Sequence, residues 1–236
     1  MSNTHKYEGI IFKSLKYSES SLILDIYTKE AGLLSFIVSG VRKAKSRIAN
    51  VFHPMNIINL IAYYSEDKLS RIKEGNLNVR YEDMSFNVIK SSIAMFVVDL
   101  SRNAIQEKEA NEELYTFLKT YLCSIDDGSL NLKYVPLDFS IRLSRYLGFE
   151  ITNNYTVLDK YFDLKEGLFV DRNVKHNYIL NETQSLNLHH ILNGKETEIT
   201  KAERNDLLDH IINYYQYHIE GFRPLKSLAV LRAVLS

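Results

Sequence analysis

The sequence predicts an α+β protein: a five-stranded barrel at the amino-terminus, then a helical domain that carries a small irregular insert. Three observations predict it. Apolar residues alternate with a period of two through residues 7–78. From about residue 85 they recur at three and four. Between about residues 149 and 180 neither period holds.

The first strand is Tyr7 to Lys13. The second, Leu22 to Tyr27, places Leu22, Leu24 and Ile26 on one face. Lys29-Glu30-Ala31-Gly32 reads as a turn into the third strand, where Leu34, Phe36 and Val38 point inward and Ser35, Ile37 and Ser39 outward. Gly40 then lets the chain leave the strand sharply. The long connection from Val41 to Met55 has room for a short helix. Ile57 to Tyr64 forms the fourth strand, and Leu69 to Lys73 the fifth, with Arg71 and Lys73 on one face. Five short strands in about 75 residues close naturally into a small barrel.

Phe86, Ile89, Ile93, Phe96, Val97 and Leu100 mark the first helix. Asn111 caps a second over Glu112 to Ser124, with Leu114, Phe117, Leu118, Tyr121 and Leu122 as its buried stripe. Pro136 opens a third, which Gly148 ends. A turn near Lys165-Glu166-Gly167 marks the insert. Leu186 to Leu192 is helical again, and Thr200 to Glu203 is a capping box for a long helix through Tyr215. Pro224 starts a last short helix, Leu225 to Leu235. The expected domains are 1–80 and 81–236.

Net charge is zero, yet residues 1–80 hold 12 Lys and Arg against 7 Asp and Glu, so the remainder is equally acidic. A basic amino-terminal part joined to an acidic remainder suits a protein with one polyanion-binding region. The one cysteine, Cys123, allows neither an internal disulfide nor a cysteine zinc site. It reads as a small buried hydrophobe. No signal peptide and no apolar run long enough to span a bilayer are present, so a cytoplasmic location is expected. Phosphate-binding glycine loops and the GxSxG elbow are absent. His189, His190, His210 and His218 lack a completing set of ligands and read as structural or solvated. No cofactor, metal or catalytic residue is expected.

What stands out is Arg42, Lys43, Lys45 and Arg47, four cations in six residues with no acid among them. Such a loop is either a solvated turn or a phosphate-contacting element, because like charges this close are relieved by a polyanion. Tyr27, Tyr63 and Tyr64 end strands and offer flat rings for unpaired bases. Arg71 and Lys73 join them as candidate DNA contacts. A barrel with a basic loop and aromatic strand ends is equipped to bind single-stranded nucleic acid without doing chemistry on it. Two other readings stay open: an adaptor whose barrel binds a polypeptide, and an enzyme acting on a small molecule in the helical domain.

Several segments, in order, resemble the bacterial RecO recombination-mediator family. They are Gly9-Ile10-Ile11-Phe12-Lys13, Tyr17-Ser18-Glu19-Ser20, Thr28 to Leu33, Gly40 to Arg47, Phe139 to Gly148, and Pro224-Leu225-Lys226-Ser227-Leu228. The resemblance implies that the barrel is an OB-fold. It also implies binding and annealing of single-stranded DNA, with single- and double-stranded DNA as partners, action with RecR, docking on the tail of single-strand-binding protein, and loading of RecA. It places DNA contact on Arg42, Lys43, Lys45 and Arg47. Many family members carry a four-cysteine zinc module after the Leu-Gly element. Here Asn153 to Val170 has no cysteine, so packing by Tyr155, Leu158, Tyr161, Phe162, Leu168 and Phe169 is expected to hold the insert. The family places a base before the helix phenylalanine, where this chain has Leu137-Asp138 before Phe139. Arg142 and Arg145, a turn on, are the candidate partner-binding residues, or else they pair with neighbouring acids.

Overall fold

The computed structural model describes residues 4–41, 47–65, 69–106, 109–195 and 199–235, with residues 47 and 48 as backbone only. By compactness the chain divides into Met1–Leu130 and Asn131–Ser236.

The first unit is built on a closed barrel of β1 (Thr4–Lys16), β2 (Leu22–Thr28), β3 (Gly32–Val38), β4 (Ile57–Tyr63) and β5 (Ser70–Leu77). The spatial order is β1-β2-β3-β5-β4, with β1 paired to β4 to close the ring. This is an OB-fold. All pairs are antiparallel except β3–β5. The alternation read from the sequence holds, since Leu22, Leu24, Ile26, Phe36 and Val38 lie in the barrel core with Ile11, Leu60 and Ile72. A 3-10 helix, Arg47–Phe52, follows β3 and pushes Phe52 into the barrel. Gly75 makes room for it: a Cβ there would lie 2.9 Å from the Phe52 ring.

β1 is buried on both sides. Ile11 faces the barrel core, while Ile10, Phe12 and Tyr27 are buried outside that cluster. Phe12 stacks on Tyr27 with centroids 5.6 Å apart, and Tyr27 stacks on Tyr115. Tyr115 belongs to α2 (Glu112–Asp127), which with α1 (Val88–Ala104) covers this outer wall. Burying Phe12 and Tyr27 contributes about 1.5–3 kcal/mol each. Polar contacts fix the angle of approach. Lys119 and the Tyr115 hydroxyl both donate to Glu8, at 2.6 and 3.0 Å, and Arg102 donates to Asp25 at 2.9 Å. Burial opposes ionisation of Glu8, but these donors hold its carboxyl below the usual range. Strand gives way to helix between residues 78 and 88, near the expected 80/81 boundary, yet packing unites α1 and α2 with the barrel.

The linker into α1 is tied to the end of α2. The amides of Glu82, Asp83 and Met84 all donate to the Asp126 carboxylate, at 2.7–3.0 Å. Lys90, nearly buried, donates to the Asp126 carbonyl at 2.7 Å and pairs with Asp83. α1 starts at Val88 with Asn87 as its cap, so Phe86 precedes the helix. Of the residues whose spacing marks this helix, Phe86 and Ile89 are 86% and 41% exposed. The period of three and four was counted from a residue outside the helix. Asn111 caps α2 as expected, through Leu114.

The second unit holds α3 (Val135–Tyr146), the hairpin β6 (Tyr161–Asp163) and β7 (Leu168–Val170), α4 (Glu182–Leu192), α5 (Lys201–His218) and α6 (Ser227–Val234). The expected capping box, Thr200 with Glu203, is present. α4 begins four residues before the expected Leu186, on a second box of Asn181 with Gln184. α3 packs against α5, where the Tyr215 hydroxyl donates to the Ser140 carbonyl at 2.6 Å.

Two polar clamps hold the insert together. Asn154 accepts from the Phe169 amide and donates to its carbonyl, at 2.7 and 2.8 Å. Asp163, 1% exposed, accepts from the amides of Lys165 and Glu166 and pairs with His176 at 3.2 Å. Phe162 and Phe169 are buried edge to face, as packing of the insert required. Leu158 takes no part: it is 79% exposed, on a turn closed by Thr156 and Asp159.

Two outcomes follow from these contacts. Asp126→Ala orphans three amides and should lower the stability of the first unit by about 2 kcal/mol in urea at neutral pH. Asp126 is pulled in opposite directions by burial, which raises its pKa, and by the amides and Lys90, which win and lower it. Its contribution is therefore present above the ordinary carboxylate pKa and lost as pH falls through the lower folded value, so the variant and wild type should converge below about pH 4. Asp163→Ala should cost the second unit about 2–4 kcal/mol in thermal unfolding, because two amides and an imidazole lose their acceptor.

Candidate nucleic-acid interface

Register places the barrel rim. Lys16 pairs with Leu22 across β1 and β2, and Leu22 pairs with Val38 across β2 and β3. The β1–β2 hairpin loop therefore stands beside the exit of β3. Gly40, with φ of +80°, turns the chain out of that strand. Arg42, Lys43 and Lys45 lie outside the described residues, as does the side chain of Arg47, whose backbone opens the 3-10 helix.

On the hairpin side of this exit, Lys16 is exposed and Tyr17 is 64% exposed. The Tyr17 amide donates to the Ser21 carbonyl at 3.1 Å, which fixes the loop. Tyr17 was not singled out from the sequence as a ring for stacking. The signal available was a tyrosine beside Lys16 in a polar hairpin, where no core position demands an aromatic.

On the other side of β3, Arg71 is in register with Ile37 across the parallel pair and with Tyr63 across β4. Arg71 and Lys73 are both exposed. A register shift between Ile61 and Ala62 leaves Lys73 without a partner residue on β4 and turns Glu74 outward as well. Lys73 accordingly pairs with Glu74 at 3.3 Å, which offsets part of its charge. Farther along, the outer wall becomes acidic. A trough of about 350 Å³ is lined by Lys6, Glu8, Glu30, Asn59, Glu74 and Asn76. Its carboxylates disfavour phosphate there.

The tyrosines proposed from strand ends divide. Tyr27 is 1% exposed, held between Phe12 and Tyr115, because α2 covers the wall that the sequence left open. It cannot stack on a base. Tyr64 is 42% exposed and lies 5.4 Å from His5, and Tyr63 is half-buried.

Among the described residues, no group of three or more His, Cys, Asp or Glu side chains is placed to hold a metal ion. No described helix is long and apolar enough to cross a membrane. Burial pushes the half-buried Cys123 thiol up in pKa, away from nucleophilic use. His218 stacks on Phe149, and burial lowers its pKa. Arg142 pairs with Asp138 of its own helix at 2.8 Å, and Arg145 lies 3.9 Å from Glu150.

Residues 1–79 match the family described as Recombination protein O N terminal, and residues 85–229 match Recombination protein O C terminal. The chain belongs to the RecO family. Similar relatives agree along their length. The chain is 33% identical to the DNA repair protein RecO of Flavobacterium psychrophilum over 245 residues, covering 98% of this chain and 99% of that protein. It is 33% identical to the DNA repair protein RecO of Phocaeicola vulgatus over 239 residues, with the same coverage. It is 27% identical to that of Azobacteroides pseudotrichonymphae over 237 residues, 98% of each. The two RecO matches meet between residues 79 and 85, where the barrel strands end and the linker to α1 begins.

Proposed function

We propose that this RecO-family protein serves DNA repair and recombination as a non-catalytic mediator that binds and anneals single-stranded DNA at one rim of its barrel. The observation that carries the reading is the juxtaposition at the β3 exit. Lys16, in register through Leu22 with Val38, and the exposed Tyr17 after it stand on one side of β3 and Arg71 on the other, and in sequence β3 is followed by Arg42, Lys43, Lys45 and Arg47. Phosphates would run along the cations while an unpaired base lies on Tyr17. A duplex offers phosphates to the same cations but no free base, so its binding would be weaker and wholly electrostatic.

The remaining partners rest on family membership. In this reading the protein acts with RecR and docks on the tail of single-strand-binding protein, which brings it to coated strands where RecA is to be loaded. An acidic tail that used Arg142 and Arg145 would have to displace Asp138 and Glu150. Exposed pairs of this kind are worth only about 0–1 kcal/mol, so the exchange is inexpensive.

A paired test separates charge from stacking. Reversing all four cations at 42–47 should leave the fold intact and abolish binding of a thymine oligonucleotide in a gel shift. For wild type, log affinity should fall with log salt at a slope near −3, from four contacts at about 0.7 each. Tyr17→Ala should weaken single-strand binding about 5- to 100-fold without changing that slope, whereas Tyr17→Phe should not. Unchanged binding by the charge-reversed protein, or binding indifferent to salt, would favour the polypeptide adaptor instead.

A further inference from the structure

The entrance to α1 carries large apolar side chains that the described residues leave exposed. Phe86 is 86% exposed, Val88 66%, Ile89 41% and Met95 37%. A hydrophobic residue just before an N-cap ordinarily packs on the fourth helical residue. Here the cap is Asn87 and that residue is Ser91, which gives Phe86 nothing apolar to meet. Val88 and Met95 are two turns apart and share a face of α1. The segment is held in place, not frayed. The Phe86 and Asn87 amides donate to the Asp83 carbonyl at 2.9 and 3.0 Å, and the Asn87 side chain caps Ile89 and Lys90. Several large apolar side chains held in water along one short segment mark a surface that something else covers.

The surrounding charge says what kind of partner. Glu82 and Asp83 precede the cluster, and Asp126 is bound to the amides of residues 82–84 with Asp127 next to it. Lys90 is buried among them, spent on Asp83 and the Asp126 carbonyl. Four carboxylates therefore face Lys90 and the exposed Arg80, and the surface is net negative. Such a rim repels both DNA phosphate and an acidic tail, and attracts lysine or arginine flanking an apolar stripe.

We propose that Phe86, Val88, Ile89 and Met95 form a docking surface for a basic amphipathic helix of a partner protein. Apolar side chains of that helix cover the Phe86 cluster, and its cations meet the carboxylates around Glu82 and Asp127. This surface uses none of the residues proposed to contact DNA.

The test uses the full chain and a fluorescent amphipathic peptide of about four helical turns, with leucine on one face and lysine on the other. A counterpart with glutamate for lysine is the control. The expected result is saturable binding of the lysine peptide, about tenfold or weaker binding of the glutamate peptide, and a loss of about tenfold or more in Phe86→Ser/Val88→Ser. That variant should keep the wild-type unfolding midpoint and affinity for single-stranded DNA. Equal binding of both peptides, or undiminished binding by the double variant, would overturn the proposal. So would a concentration-dependent dimer of the wild type that the double variant dissolves, which would assign the surface to a second copy of the chain.

Discussion

The first unit depends on one strand having no solvent side. β1 gives Ile11 to the barrel core and Phe12 to a second layer in which Tyr27 and Tyr115 stack. Because that second layer is filled by α2, the outer wall of β1 and β2 is closed to ligand, and the barrel cannot be separated from α1 and α2 without exposing it. Glu8 shows the same constraint in polar form: a strand carboxylate whose donors both come from α2. The helices thus close one wall of the barrel, while the rim where β3 leaves stays open, with Lys16, Tyr17 and Arg71 exposed.

Charge is sorted along this framework. In sequence, cations follow β3 and open β5, and carboxylates line the trough on the outer wall and the linker around Asp126. The formal charge of the chain is zero, yet a polyanion and a polycation would each find a favoured place on it. Tyr17 is exposed beside Lys16, and Phe86 is exposed in a segment that carries Glu82 and Asp83.

Much of this was legible in the sequence because local chemistry decided it. The alternation of Leu22, Leu24 and Ile26, the box at Thr200 and Glu203, and the cap at Asn111 each depend on residues a few positions apart, and each appears as expected. What was not legible depends on distant partners. Tyr27 looks like an exposed strand-end ring until Tyr115, far along the chain, is laid over it. Phe86 fits a helical period, but the cap at Asn87 puts it outside the helix. The insert without cysteines is held by Asp163 with His176 and by Asn154 with Phe169, pairings between loop residues that no periodicity announces.

The central proposal is that single-stranded DNA lies on the barrel rim beside β3 and not on the wall of β1 and β2 that the helices cover. Amide hydrogen exchange of the full chain, with and without a saturating thymine oligonucleotide, tests it most directly. The account predicts added protection in the β1–β2 hairpin around Tyr17, at the end of β3 and at the start of β5, with α1 and α2 unchanged. Protection concentrated on α1 and α2, with none around Tyr17 and Arg71, would contradict it.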